Sequence, residues 1–86
     1  MNTAFLLMAK YNGLPIIPAD TVRADFFPHL TPIKFLRKVS DGHIALPMVK
    51  IEASQKSAKG VHLQDLADYL DARRAEAQRE FRRLHD

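Results

Sequence analysis

The chain has 86 residues, 47% hydrophobic and 27% charged, with no cysteine and a formal net charge of +3. That bounds it to one domain with a modest core and is too apolar for a disordered chain. The lack of thiols excludes a disulfide framework, a thiolate zinc site and a cysteine nucleophile, and fits a reducing cytoplasm.

Asn2 or Thr3 is placed to cap a first helix running to about Tyr11, with Asn12-Gly13 as its stop. Phe5, Leu6, Met8 and Ala9 are its expected buried side. No basic residue precedes this apolar run and no small-residue cleavage site follows it. It is far shorter than the roughly 20 residues of a membrane span, so it reads as core, and the protein as soluble and intracellular with no membrane partner. Leu14 to Ile17 is extended, because Pro15 and Pro18 hold the residues before them out of the helical region. Pro18 or Ala19 opens a second helix with Val22 and Phe26 on one face; Pro28 ends it, and His29-Leu30 forms a turn.

A third helix spans residues 31–41, with Thr31 as N-cap, Pro32 in its first turn and Gly42 as a left-handed stop. Ile33, Phe35, Leu36, Val39 and Ser40 are assigned to its packing side, and Lys34, Arg37, Lys38 and Asp41 to the other. His43 to Ile51 has a strand-like pattern, with Pro47 at its start or at an edge. Residues 54–60, SQKSAKG, hold no large apolar group and read as a hairpin tip, after which Val61 resumes the apolar pattern. The last helix, residues 62–86, carries Leu63, Leu66, Ala67, Leu70, Ala77, Phe81 and Leu84 at three- and four-residue steps. Phe81 and Leu84 need a partner: they fold back onto the first helix or meet a second copy, a homodimer being the preferred expectation.

The charge is unevenly spread. Residues 1–33 are neutral overall, residues 34–59 hold six Lys/Arg against two acids, and residues 60–86 hold five Arg against six acids. The whole positive excess therefore lies in the third helix and the hairpin, which is the electrostatic footprint of a polyanion partner. A basic helix, a basic hairpin and a packing helix in that order predict a mainly α domain with a small β-hairpin, a winged helix-turn-helix. It is organised as helices plus wing over residues 1–61 and a long C-terminal helix over residues 62–86.

On this reading the partner is double-stranded DNA. Arg37 is expected to bond a guanine bidentately, Lys34 and Lys38 to hold phosphates, and Thr31 to donate to a phosphate at the helix start. The wing supplies Ser54, Gln55, Lys56, Ser57 and Lys59 along the adjacent backbone or minor groove, with Gln55 reaching a base edge, and Lys50 completes the set. Catalysis is not expected. His29, His43, His62 and His85 have no ligand spacing, Asp65, Asp68 and Asp71 are explained by the acid preference of a first helical turn and by solvation, and no nucleophile elbow, phosphate loop or zinc signature is present. No cofactor or metal is called for.

The segments NTAFLLMAKYNG, FFPHLTPIKFLRKVSDGHIALPMVKIEASQKSAKGVHL and DLADYLDARR resemble the pyocin activator family, the PrtN-type regulators of prophage-bearing bacteria. The similarity runs from Met1 to about Arg79, and MAKYNG, ALP and SQKSAKGVHL are its most specific parts. The strand-wing-helix portion is more distantly similar to the winged domains of phage excisionases and AlpA-type regulators. The resemblance implies a cytoplasmic, nucleoid-associated transcriptional activator of phage-tail-like bacteriocin genes. It implies action on short promoter repeats, with expression released after DNA damage, and RNA polymerase as a partner, for which the acidic side of the last helix, Asp65 to Asp71, is the candidate surface. Two rival readings share these residues: an excisionase-like architectural protein that bends DNA, and a phage-type protein–protein adaptor whose basic face meets an acidic partner.

Overall fold

The computed structural model describes residues 2–54 and 57–85; the expected contacts of Gln55 and Lys56 lie outside the described residues. The elements are α1 (Thr3–Lys10), β1 (Ile16–Pro18), α2 (Ala19–Phe26), α3 (Pro32–Ser40), β2 (Val49–Lys50), β3 (Lys59–His62) and α4 (Leu63–His85). Their ends follow from local chemistry. The Asn2 side chain accepts from the Ala4 N–H at 2.8 Å and the Thr31 hydroxyl accepts from the Lys34 N–H at 3.2 Å, each satisfying a donor that the first helical turn leaves open. Asn12 and Gly13 end α1 and Gly42 ends α3, all three at positive φ.

The sheet is antiparallel with strand order β1-β3-β2. Ile17 faces Val61 and Val49 faces Gly60. The extended piece around Ile17 is therefore a strand of its own, added to the hairpin. Of the strand expected over residues 43–51, only Val49–Lys50 pairs. Pro47 has no N–H for a ladder, and upstream of it Ile44 and Leu46 are buried without ladder pairing.

The core gathers Leu7, Ile17, Val22, Phe35, Val61 and Leu66 between the sheet and the helices. The Phe27 ring bridges two helices, 5.1 Å from Phe35 of α3 and 5.9 Å from Tyr69 of α4. Three expectations about the core are corrected. In α1 the inward residues are Ala4, Leu7 and Tyr11, while Phe5, Leu6 and Met8 are exposed. In α3 only Phe35 is buried and Val39 partly so; Ile33 and Leu36 face solvent. In α4 the stripe is covered only over its first half, and Phe81 and Leu84 are exposed, so the tail does not fold back. For α1 and α4 the cause is length. α1 has eight residues, and a hydrogen bond from the Thr3 hydroxyl to Asp71 of α4 (2.5 Å) marks its N-terminal end on α4. The 23 residues of α4 span about 34 Å at 1.5 Å per residue, which accounts for the 50 × 28 × 20 Å outline of the molecule.

The Tyr11 hydroxyl donates to the Asp25 carboxylate at 2.6 Å, and Lys10 lies 3.8 Å from the same oxygen. Burial, then the hydrogen bond and charge of Asp25, push the Tyr11 phenol well above its ordinary range. A group whose folded pKa is raised contributes its stability in full below the unfolded value, about 10, and loses it as pH climbs beyond that value. Tyr11→Phe is expected to cost about 1–2 kcal/mol at pH 7. It should also remove the decline in stability that the unsubstituted chain shows above about pH 10. Urea denaturation at the two pH values checks both.

Candidate nucleic-acid interface

The candidate interface is built on α3 and the β2–β3 hairpin. α3 follows α2 after the turn at residues 28–30 and is anchored inward by Phe35. Its outward residues follow from helical geometry. At about 100° per residue, Ile33 and Phe35 stand about 160° apart, so they cannot both lie at the centre of one buried face. With Phe35 inward, the outermost line is Ile33, Arg37 and Ser40, with Lys34 and Lys38 to one side and Leu36 to the other. The outward face is thus mixed apolar and basic, not purely basic. Ile33 is 71% exposed beside Arg37; the sequence reading missed it as a site residue, although its angle from Phe35 was available in the sequence.

The hairpin meets the Leu36 edge of α3. Pro32, Phe35 and Leu36 line one groove together with Ser57 and Lys59 of the hairpin and Ala19 and Asp20 of α2. Leu36, Val39 and Ser40 line a second groove with Met48, Lys50 and Lys59. The structure therefore brings Lys50, Ser57 and Lys59 alongside α3, while Arg37 stands on the outermost line, about 100° around the helix from Leu36. Lys34 and Lys38 stand on the far side of α3 from the hairpin.

Two hydroxyls expected to meet phosphate have structural partners. Thr31 caps α3, as above. The Ser57 hydroxyl accepts from the Glu52 N–H at 2.8 Å and donates to the Ala58 carbonyl at 3.1 Å, and the Ser57 N–H donates to the Ser54 carbonyl at 3.1 Å. Ser54 and Ser57 thus belong to the hydrogen bonding that shapes the tip.

The electrostatics are one-sided. Lys50 and Lys59 are directly opposite each other across the β2–β3 ladder. Opposed side chains in such a pair have Cβ atoms about 4.5–5.5 Å apart, where like charges repel. Among the described residues the ion pairs are Lys10–Asp25, Arg23–Asp20 and Arg79–Glu76. None involves Lys34, Arg37, Lys38, Lys50 or Lys59. Asp41 and Glu52, the two acids of residues 34–59, are exposed in the same segments but form no ion pair with these cations among the described residues.

Gly60 ties the hairpin to the rest of the fold. It lies in the central strand, opposite Pro18 of β1 and Val49 of β2. A Cβ here would sit 2.5 Å from Ile16 Cγ2 and 2.9 Å from the Ile17 carbonyl oxygen. The strands approach more closely than any side chain permits.

Compared with known proteins, the family model described as pyocin activator protein PrtN matches residues 3–77. No curated protein and no solved structure matches the chain. Among the described residues no helix is long and apolar enough to cross a membrane.

Because the obstacle at Gly60 includes backbone, Gly60→Ala should force β1 and β3 apart and cost about 1–3 kcal/mol. Thermal denaturation reads the loss, and faster hydrogen exchange at Val49 and Val61 would localise it to the sheet.

Proposed function

The chain belongs to the pyocin activator protein PrtN family, and on that premise we propose that it is a sequence-specific DNA-binding activator of phage-tail-like bacteriocin genes. It acts in the cytoplasm, at the nucleoid, on promoter repeats through a winged helix-turn-helix. The element order supports this reading: α2, a short turn and α3, followed by a hairpin whose second strand also pairs with β1. The observation that carries it is the Lys50–Lys59 pair beside the groove at α3. Two opposed lysines with no carboxylate between them are a standing repulsion that a phosphate relieves.

In this mechanism α3 enters the major groove. Arg37 bonds a guanine through O6 and N7, and Ile33, one turn earlier on the same outward line, packs against a thymine methyl. Lys34 and Lys38 hold phosphates along one edge of the groove. Lys50 and Lys59 hold those on the hairpin side, with Ser54 and Ser57 at the wing tip; Gln55 and Lys56 are proposed as further contacts of the same segment. Thr31 and the open N–H groups of the first turn of α3 favour a phosphate there. RNA polymerase is met by the acidic first half of α4, away from the duplex.

Lys34, Lys38, Lys50 and Lys59 are four cations placed on phosphates, so log affinity should fall against log salt with a slope of about −3 to −4 per protomer. A flat dependence would refute this arrangement. With a promoter duplex and a random duplex in parallel fluorescence titrations, Arg37→Ala should weaken promoter binding by about 1–3 kcal/mol and leave random binding little changed. Lys59→Ala should weaken both alike and shorten the slope by about 1. Ile33→Ser should relax the preference at a single base pair. Equal losses on both duplexes for Arg37→Ala would remove it from base reading.

A further inference from the structure

We infer that the C-terminal half of α4 is a self-association surface, and that two copies of the chain pair antiparallel through it about a twofold axis beside Ala77. The inference uses none of the residues placed on the duplex.

The starting observation is an apolar line that continues after its cover ends. Leu63 and Leu66 of α4 are buried, while Phe81 and Leu84, on the same side of the helix, are 64% and 67% exposed. Among the described residues the ring contact of Phe81 is with His85, 4.5 Å away on its own helix. Within this line Leu70, Ala77 and Leu84 recur at seven-residue intervals, a repeat that drifts only about 20° per step around a helix. The repeat is symmetric about Ala77. An antiparallel pair centred there sets Leu70 against the partner's Leu84 and Ala77 against the partner's Ala77, where the small side chains let the helices approach.

The charges agree with the same register. Residues 63–71 carry three Asp and no Lys or Arg, whereas residues 72–85 carry five Arg against two Glu. A parallel pair would align like with like; an antiparallel pair lays each cationic tail beside the partner's acidic half. With the centre at Ala77, Arg73 comes within one residue of the partner's Glu80 on one flank of the seam. Arg73, Glu80 and Arg82 take part in no ion pair among the described residues; Glu76 and Arg79 pair with each other within the helix. A seam from residue 70 to residue 84 is smaller than a standard interface of about 800 Å² per partner, so the dimer is expected to be micromolar rather than nanomolar.

The absence of cysteine from the chain gives a direct test. In the full-length chain under mild oxidation, Ala77→Cys should cross-link to a covalent dimer, whereas Glu76→Cys, one residue around the helix from the seam, should not. Sedimentation of the unsubstituted chain should show a monomer–dimer equilibrium. Leu84→Asp should weaken it at least about tenfold, with unchanged circular dichroism because the position is exposed. Arg73→Glu should weaken association, and Arg73→Glu combined with Glu80→Arg should restore it. The proposal is overturned by a chain that stays monomeric through the micromolar range, by equal cross-linking at positions 76 and 77, or by a dimer insensitive to Leu84→Asp. Protection of the tail by duplex DNA in a chain that remains monomeric would likewise overturn it, assigning the cationic tail to nucleic acid.

Discussion

Strand β3 is the constraint on which the rest of the molecule depends. It is hydrogen-bonded on both edges, to β1 and to β2, and passes into α4 without an intervening residue. The join is held twice: the Leu63 N–H donates to the Pro15 carbonyl at 2.9 Å, and the Gln64 N–H donates to His62 Nδ1 at 3.0 Å. Ile17, Val61 and Leu66, all fully buried, fix β1, β3 and α4 to one core. A hairpin alone in water is marginal; here its second strand is the central strand of the sheet. The position of the hairpin relative to α3 is therefore a property of the core, not of the loop, and the basic groups on both are held in register by apolar packing well removed from them.

That rigidity gives the charge distribution its meaning. Opposed lysines on a flexible loop would move apart at little cost, whereas Lys50 and Lys59 are kept opposite each other by ladder pairing. Two carboxylates of α2 are employed in the scaffold: Asp20 holds Arg23, whose other end reaches the Leu30 carbonyl in the turn before α3, and Asp25 holds Tyr11. These contacts brace the α2–α3 junction. These two acids thus stabilise the scaffold, while Lys34, Arg37, Lys38, Lys50 and Lys59 form no ion pair among the described residues.

Most of the element order was legible in the sequence because it rests on short-range chemistry. Asn2, Thr31, Pro32, Gly13 and Gly42 each act within a few residues, and the helices begin and end where those residues say. The third strand was less legible, since Ile16–Pro18 becomes a strand only through pairing with residues more than 40 positions away. Hydrophobicity was the poorest guide to the core. A helix of eight residues needs only a narrow strip to be anchored, so α1 uses Ala4, Leu7 and Tyr11 and leaves Phe5, Leu6 and Met8 outside. In α3 the angle between Ile33 and Phe35 separates them, and counting apolar residues conceals it. At the candidate site the residue types were legible, but the engagement of the Thr31 and Ser57 hydroxyls in capping and turn bonds was not, because it depends on backbone geometry.

The apolar residues that fail to enter the core are themselves informative. A single domain of this size cannot cover all of its apolar surface, so scattered exposure needs no explanation. Exposure that falls on one line of one helix does. Ile33 shares its line on α3 with Arg37, and Phe81 and Leu84 share theirs on α4 with the buried residues of the same helix. In both places an inward anchor fixes the rotation of the helix: Phe35 in one, Leu66 in the other. Once the rotation is set by the core, the outward residues have no freedom to turn away from water. On the two proposals made above, what meets these faces from outside is a base edge at the one and a second copy of the helix at the other.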